Sequence, residues 1–140
     1  MVNLSALAQK DDDGRKERFE KFQKERVEFI SKQMNLTEDE NKLFWPLCDE
    51  LQMKKFEANK PLRELMHKIR KAQKENVVVS DADYKKAIEL GTEIKSREAQ
   101  LEKEYYSKFL QVIPAEKVFL YQKAEQEFGR QVMERRRARN

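Results

Sequence analysis

His67 and Cys48 are the side chains of this sequence best suited to metal or nucleophile chemistry, since it has one histidine and one cysteine. On one helix they would lie about five turns apart, too far to share an ion, so only a symmetric dimer could gather several copies of either. A Ser-His-Asp or Cys-His pairing has no local signature here, and a glycine-rich phosphate loop is missing. Carboxylate pairs such as Glu38 with Asp39, or Asp81 with Asp83, are explained by helix capping. The sequence therefore predicts no enzyme, no catalytic residue, no cofactor and no metal ligand set. His67 reads as an exposed helix residue. Cys48 reads as a small, partly buried side chain, with an intermolecular disulfide or a reactive thiol as the alternative.

Binding chemistry is better represented. On a helical wheel, Trp45, Gln52, Phe56, Asn59, Arg63, Met66, His67, Arg70 and Lys74 share a face roughly 100° from the main apolar seam of their segment. Aromatic, methionine and basic groups are mixed there. Apolar patches would take exposed side chains of an unfolded chain, cations would attract acidic segments, and flexible Met and Arg side chains would tolerate varied shapes. We take Trp45, Phe56, Arg63, Met66, Arg70 and Lys74 as the candidate client-binding residues. The competing expectation is that Trp45 and Phe56 pack against another helix or a dimer mate. The basic run Arg135-Arg136-Arg137-Ala138-Arg139 reads as a solvated tail that complements a helix dipole, not as a nucleic-acid contact.

Composition dictates what carries these residues. With 40% charged and 39% hydrophobic residues, 3 Gly and 3 Pro, the chain suits long helices with narrow apolar seams better than a thick core. A net charge of +4, with both signs interleaved, says little about partners. The spacing predicts four helices, at about 15–34, 38–74, 81–111 and 114–134, forming one domain over 15–134 before a basic tail at 135–140. Phe19, Phe22, Phe29, Ile30 and Met34 mark the first seam, and Asn35 its stop. Thr37 and Glu40 form a capping box at the second helix, with Leu36 at the staple position covered by Leu43 or Phe44.

The second seam is Phe44, Leu47, Leu51, Ala58, Leu62, Leu65, Ile69 and Ala72, interrupted by Lys55. Pro46 and Pro61 should each kink or split that helix. Three β-branched residues, Val77 to Val79, end it, and Ser80 with Asp83 repeats the capping box. Tyr84, Ala87, Ile88, Gly91, Ile94, Leu101, Tyr105, Phe109 and Val112 form the third seam. Val118, Tyr121, Ala124, Phe128 and Val132 form the fourth, behind Pro114 as first helical residue. The expected fold is all-α, with a long, kinked, antiparallel helical hairpin at its centre. Thin helices leave seam uncovered, and pairing two copies would bury it.

No run approaches the length of apolar sequence needed for a bilayer span, so membrane insertion is not expected. Ala6-Leu7-Ala8 before Gln9 has the small-x-small form of a signal-peptidase site. Residues 1–14 therefore read as a signal-peptide remnant, truncated at its front, followed by a disordered linker from Lys10 to Gly14. An ordinary cytoplasmic N-terminus is the alternative.

Leu36-Thr37-x-x-Glu40 followed by Phe44-Trp45-Pro46-Leu47 resembles the LTxxQ family of small periplasmic proteins, the Spy, CpxP and ZraP relatives, in its Bacteroidetes form. Phe19 to Met34 and Tyr105 to Phe128 read like the same group, whereas Ile113 to Lys117 departs from its usual second motif copy. The resemblance implies a curved helical homodimer in the periplasm whose concave face receives clients. The function it implies is an ATP-independent chaperone or envelope-stress protein binding unfolded or misfolded proteins. The alternative is a sensor or regulatory module acting on a membrane signalling system, an ECF sigma/anti-sigma or two-component system, and responsive to metal.

Overall fold

The computed structural model describes the backbone of residues 4–139 and the side chains of residues 13–139. The architecture is all-helical: α1 (Leu4–Met34), α2 (Glu38–Lys74), α3 (Asp81–Val112) and α4 (Ala115–Arg139). The chain forms two compact units. One joins the chain up to Asn41 with the chain from Pro114 onward; the other is Lys42–Ile113.

Helix boundaries follow from local chemistry. At the end of α1, Asn35 adopts φ 54, its N–H donates to the Lys32 carbonyl at 3.2 Å, and the Leu36 N–H donates to Ser31 at 3.2 Å. These are the two bonds of a Schellman motif, with asparagine in the left-handed position that suits it better than most residues. The end of α2 repeats it: Asn76 has φ 57, and Val77 N–H reaches the Ala72 carbonyl at 2.8 Å. The valines that follow continue the exit; the asparagine makes the stop. α3 ends because Pro114 disfavours helical geometry in the residue before it, and Ile113 is accordingly extended at φ -136, ψ 157. Pro114 then precedes α4 instead of opening it, and its carbonyl accepts from Val118 N–H at 3.2 Å.

One sequence expectation is corrected here. α1 begins at Leu4, so Lys10 to Gly14 lie inside a helix and do not form a linker. Ala6, Leu7 and Ala8 favour helix, and one interior glycine costs only about 1 kcal/mol relative to alanine. Met1 to Asn3, the front of the expected signal remnant, fall outside the described residues. α2 is continuous through Pro46 and Pro61, so of the two outcomes expected of those prolines the split does not occur, and its 37 residues make one helix of about 55 Å along its axis.

In the first unit, α1 and α4 are antiparallel, with Cα atoms within 8 Å of each other. Tyr121, Ala124 and Phe128 are buried on α4, and Ile30 and Met34 on α1. The Phe128 ring stands 5.4 Å from Phe22 and 5.7 Å from Phe29. Arg26 is buried and donates to Glu125 at 2.6 Å, where the Tyr121 hydroxyl also donates at 3.0 Å. A buried guanidinium is tolerated because its charge is met. Phe19, placed in the same seam by its spacing, is 61% exposed.

The second unit pairs α2 with α3, antiparallel by register. Phe44 meets Phe109 at 4.8 Å between ring centroids, Lys55 meets Glu102 at 2.5 Å, Asn59 donates to Glu98 at 2.7 Å, and Lys68 meets Asp83 at 3.1 Å. Phe44, Cys48, Leu51 and Ile69 are buried on α2, and Ile94, Leu101, Tyr105 and Phe109 on α3. Each large apolar side chain so withdrawn contributes about 1.5–3 kcal/mol. Lys55, which breaks the apolar pattern of α2, is answered by a carboxylate on the facing helix. Tyr84 and Ile88 depart from the expected seam and stand at the surface.

Candidate functional site

The Leu36-Thr37-x-x-Glu40 motif builds the corner between α1 and α2. Thr37 N–H donates to Glu40 Oε1 at 3.0 Å, and Glu40 N–H donates to Thr37 Oγ1 at 3.1 Å, the reciprocal bonds expected of a capping box. Leu36 is half-buried behind it. Asn41, a poor apolar staple, instead accepts from the Ser31 hydroxyl at 2.9 Å. Sequence reasoning missed Lys117: its ammonium ion-pairs with Glu40 and donates to the Asn35 carbonyl at 2.8 Å, tying the first turn of α4 to this corner. The Lys117 ammonium, and after it the Thr37 backbone N–H, hold the Glu40 carboxyl below its ordinary value. The motif's polar residues are thus engaged in holding the first unit together.

At the start of α3 only half of the second expected capping box forms. Ser80 Oγ accepts from Asp83 N–H at 3.1 Å, while the Asp83 carboxylate pairs with Lys68 across the helix pair. Aspartate is one methylene shorter than the glutamate that normally reaches back.

The candidate client-binding stripe on α2 is divided by the fold. Trp45 is withdrawn from the surface, only 9% exposed and edge-on to Phe44 at 5.1 Å, so it belongs to the core. Asn59 is turned toward α3 by Glu98. Phe56, by contrast, is 61% exposed, and the Arg63 guanidinium lies 3.7 Å from its ring centroid while donating to the Phe56 carbonyl at 2.7 Å. That carbonyl belongs to the turn that Pro61 crowds. Met66, Arg70 and Lys74 continue the exposed row, with Arg70 Nε donating to the Met66 carbonyl at 3.3 Å.

α3 adds residues to this face that the sequence had assigned to the core. The Tyr84 hydroxyl bonds Gln73 of α2 at 3.3 Å, which fixes its side of the helix pair, and Ile88 follows one turn later at 72% exposure. By register Gly91 lies beside Met66, and a Cβ added there would meet nothing within 4 Å. The result is a shallow strip with Phe56, Met66, Tyr84 and Ile88 exposed beside Arg63 and Arg70. The signal available in the sequence was the angular offset of Tyr84 and Ile88 from the Ile94-Leu101 line.

The other candidates resolve simply. His67 is exposed, and Cys48 is a fully buried cysteine. Among the described residues, no group of three or more His, Cys, Asp or Glu side chains could hold a metal ion, and no helix is long and apolar enough to cross a membrane. Arg135 pairs with Glu25 at 3.2 Å and Arg130 with Glu127 and Glu134, so the basic end of α4 is partly neutralised within its own unit. No protein-family model, curated protein or solved structure matches this chain.

Proposed function

We propose that the protein is an ATP-independent periplasmic chaperone or envelope-stress protein that holds unfolded or partly folded proteins on the α2–α3 strip, working as a Spy-like curved homodimer. The observation that carries the reading is the exposed run of Phe56, Met66, Tyr84 and Ile88 interleaved with arginines on two long, charge-rich rods. A folded monomer gains nothing by leaving such side chains in water, whereas an unfolded client supplies the apolar surface to cover them. Weak, multi-point capture suits a disordered client, which loses entropy on being ordered. The Leu36-Thr37-x-x-Glu40 and Phe44-Trp45-Pro46-Leu47 elements add the resemblance to the LTxxQ group.

The test is aggregation of a chemically denatured client with the protein present at stoichiometric concentration and no nucleotide. Suppression that is lost in Phe56→Ser/Ile88→Ser is expected. Aggregation unchanged at low salt would end the chaperone reading. Recovery of a single stoichiometric envelope partner would instead favour a sensor or regulatory module.

A further inference from the structure

The two flanks of the α2–α3 pair differ in charge as well as in apolar exposure. On the flank bearing Phe56, Met66 and Ile88, Arg63 and Arg70 donate to main-chain carbonyls, and among the described residues neither makes an ion pair with a carboxylate. Of the acids on this flank, Glu102 is paired with Lys55 at 2.5 Å and Asp81 with Lys85 at 3.2 Å, Glu98 is held by the neutral Asn59 amide at 2.7 Å, and Asp49 stands exposed near the Phe56 end. At 100° per residue, the exposed acids Glu50, Glu57 and Glu64 recur at heptad spacing on the opposite flank of α2. With Lys74 and Lys95 added to Arg63 and Arg70, cations outnumber acids among the apolar side chains on this side, whereas on the other Glu50 and Glu64 are matched by Lys54 at 3.9 Å and Lys60 at 4.0 Å.

We infer that the Phe56–Ile88 strip selects net-acidic segments carrying apolar side chains, so that client choice is set by charge as well as by unfolding. The inference rests on the capture reading above and gives it a substrate class. Guanidinium groups present planar donors to carboxylates, and the neighbouring Phe56, Met66 and Ile88 take the apolar side chains of the same segment. A basic segment of equal hydrophobicity would meet the same apolar strip under like-charge repulsion. Because the strip is open to solvent, selection should act mainly on the encounter rate and weaken with salt.

Two fluorescent peptides with identical apolar residues, one interspersed with Asp and Glu and the other with Lys, test this by anisotropy against the intact protein. The acidic peptide should bind about tenfold more tightly at low salt and lose that advantage at high salt. Arg63→Gln/Arg70→Gln should remove the preference, Ile88→Ser should weaken both peptides alike, and Glu57→Gln/Glu64→Gln should leave the preference in place. Equal binding of the two peptides, a preference abolished by the Glu57/Glu64 variant, or full displacement of the peptide by anionic phospholipid vesicles would overturn it. If a basic denatured client is kept from aggregating as well as an acidic one, capture stands and the charge rule falls. If neither is protected, both fall.

Discussion

The Lys117 ammonium ion-pairs with the Glu40 carboxylate and also caps the Asn35 carbonyl at 2.8 Å, so one side chain of α4 closes both the end of α1 and the start of α2. Glu40 lies below its ordinary value of 4.5 chiefly because of that partner. A carboxylate with a depressed folded-state pKa adds stability that is present above its unfolded value and lost as pH falls through the folded one. Glu40→Gln keeps an acceptor for the Thr37 N–H but removes the charge. The wild type should lose thermal stability on acidification below 4.5 more steeply than this variant, followed by circular dichroism. Parallel pH profiles would show that the Lys117 pair adds nothing.

Asn35 and Asn76, at φ 54 and φ 57, hold left-handed positions where any Cβ crowds the following carbonyl and a short polar side chain offsets the cost. Replacing either by alanine should cost about 1 kcal/mol in urea denaturation, while glycine should be neutral or mildly stabilising. Alanine matching asparagine would remove the Schellman motif from the account of helix termination.

Tyr105 is fully buried, with Lys54 and Lys108 over its ring at 5.1 and 4.4 Å; among the described residues its hydroxyl meets no partner in hydrogen-bond geometry, though it lies near enough to the Lys54 ammonium to raise that group's pKa. An unpaired buried hydroxyl costs more than its absence, so Tyr105→Phe should raise stability by about 1 kcal/mol. Measured destabilisation would mean that the hydroxyl has found a donor or a water.

Phe56→Ser and Ile88→Ser remove exposed apolar side chains and should change unfolding stability by no more than about 0.5 kcal/mol, while lowering client capture. Trp45→Ser should instead destabilise the fold by about 3 kcal/mol, since that ring is in the core. If the Trp45 variant melts like the wild type yet loses capture, the ring belongs to the binding surface after all.

How much of this was legible varied with the range of the interaction responsible. Helix limits at Thr37, Lys74 and Ser80 could be read from residues within a turn of each other, because caps are local. The α2 seam could be read as well, and Lys55 was marked as an interruption, but its partner Glu102 could not be found without the register of α2 against α3. Trp45 and Phe56 sit at similar angles on one helix, and only the packing decides that the first is buried and the second exposed. Lys117 escaped notice for the same reason: nothing in its neighbourhood in sequence points to Glu40.

The Lys55–Glu102 and Asn59–Glu98 contacts stand one turn apart on both helices. Sliding α3 by a turn would match Lys55 with Glu98 but leave Glu102 against Leu51 and Asn59 against Ile94, a stranded carboxylate and a stranded amide. A single polar pair admits a neighbouring alignment; two spaced this way do not. Chains that collapse out of step must separate before they can finish folding, and a dimeric exchange of α3 between copies would have to reproduce the same alignment.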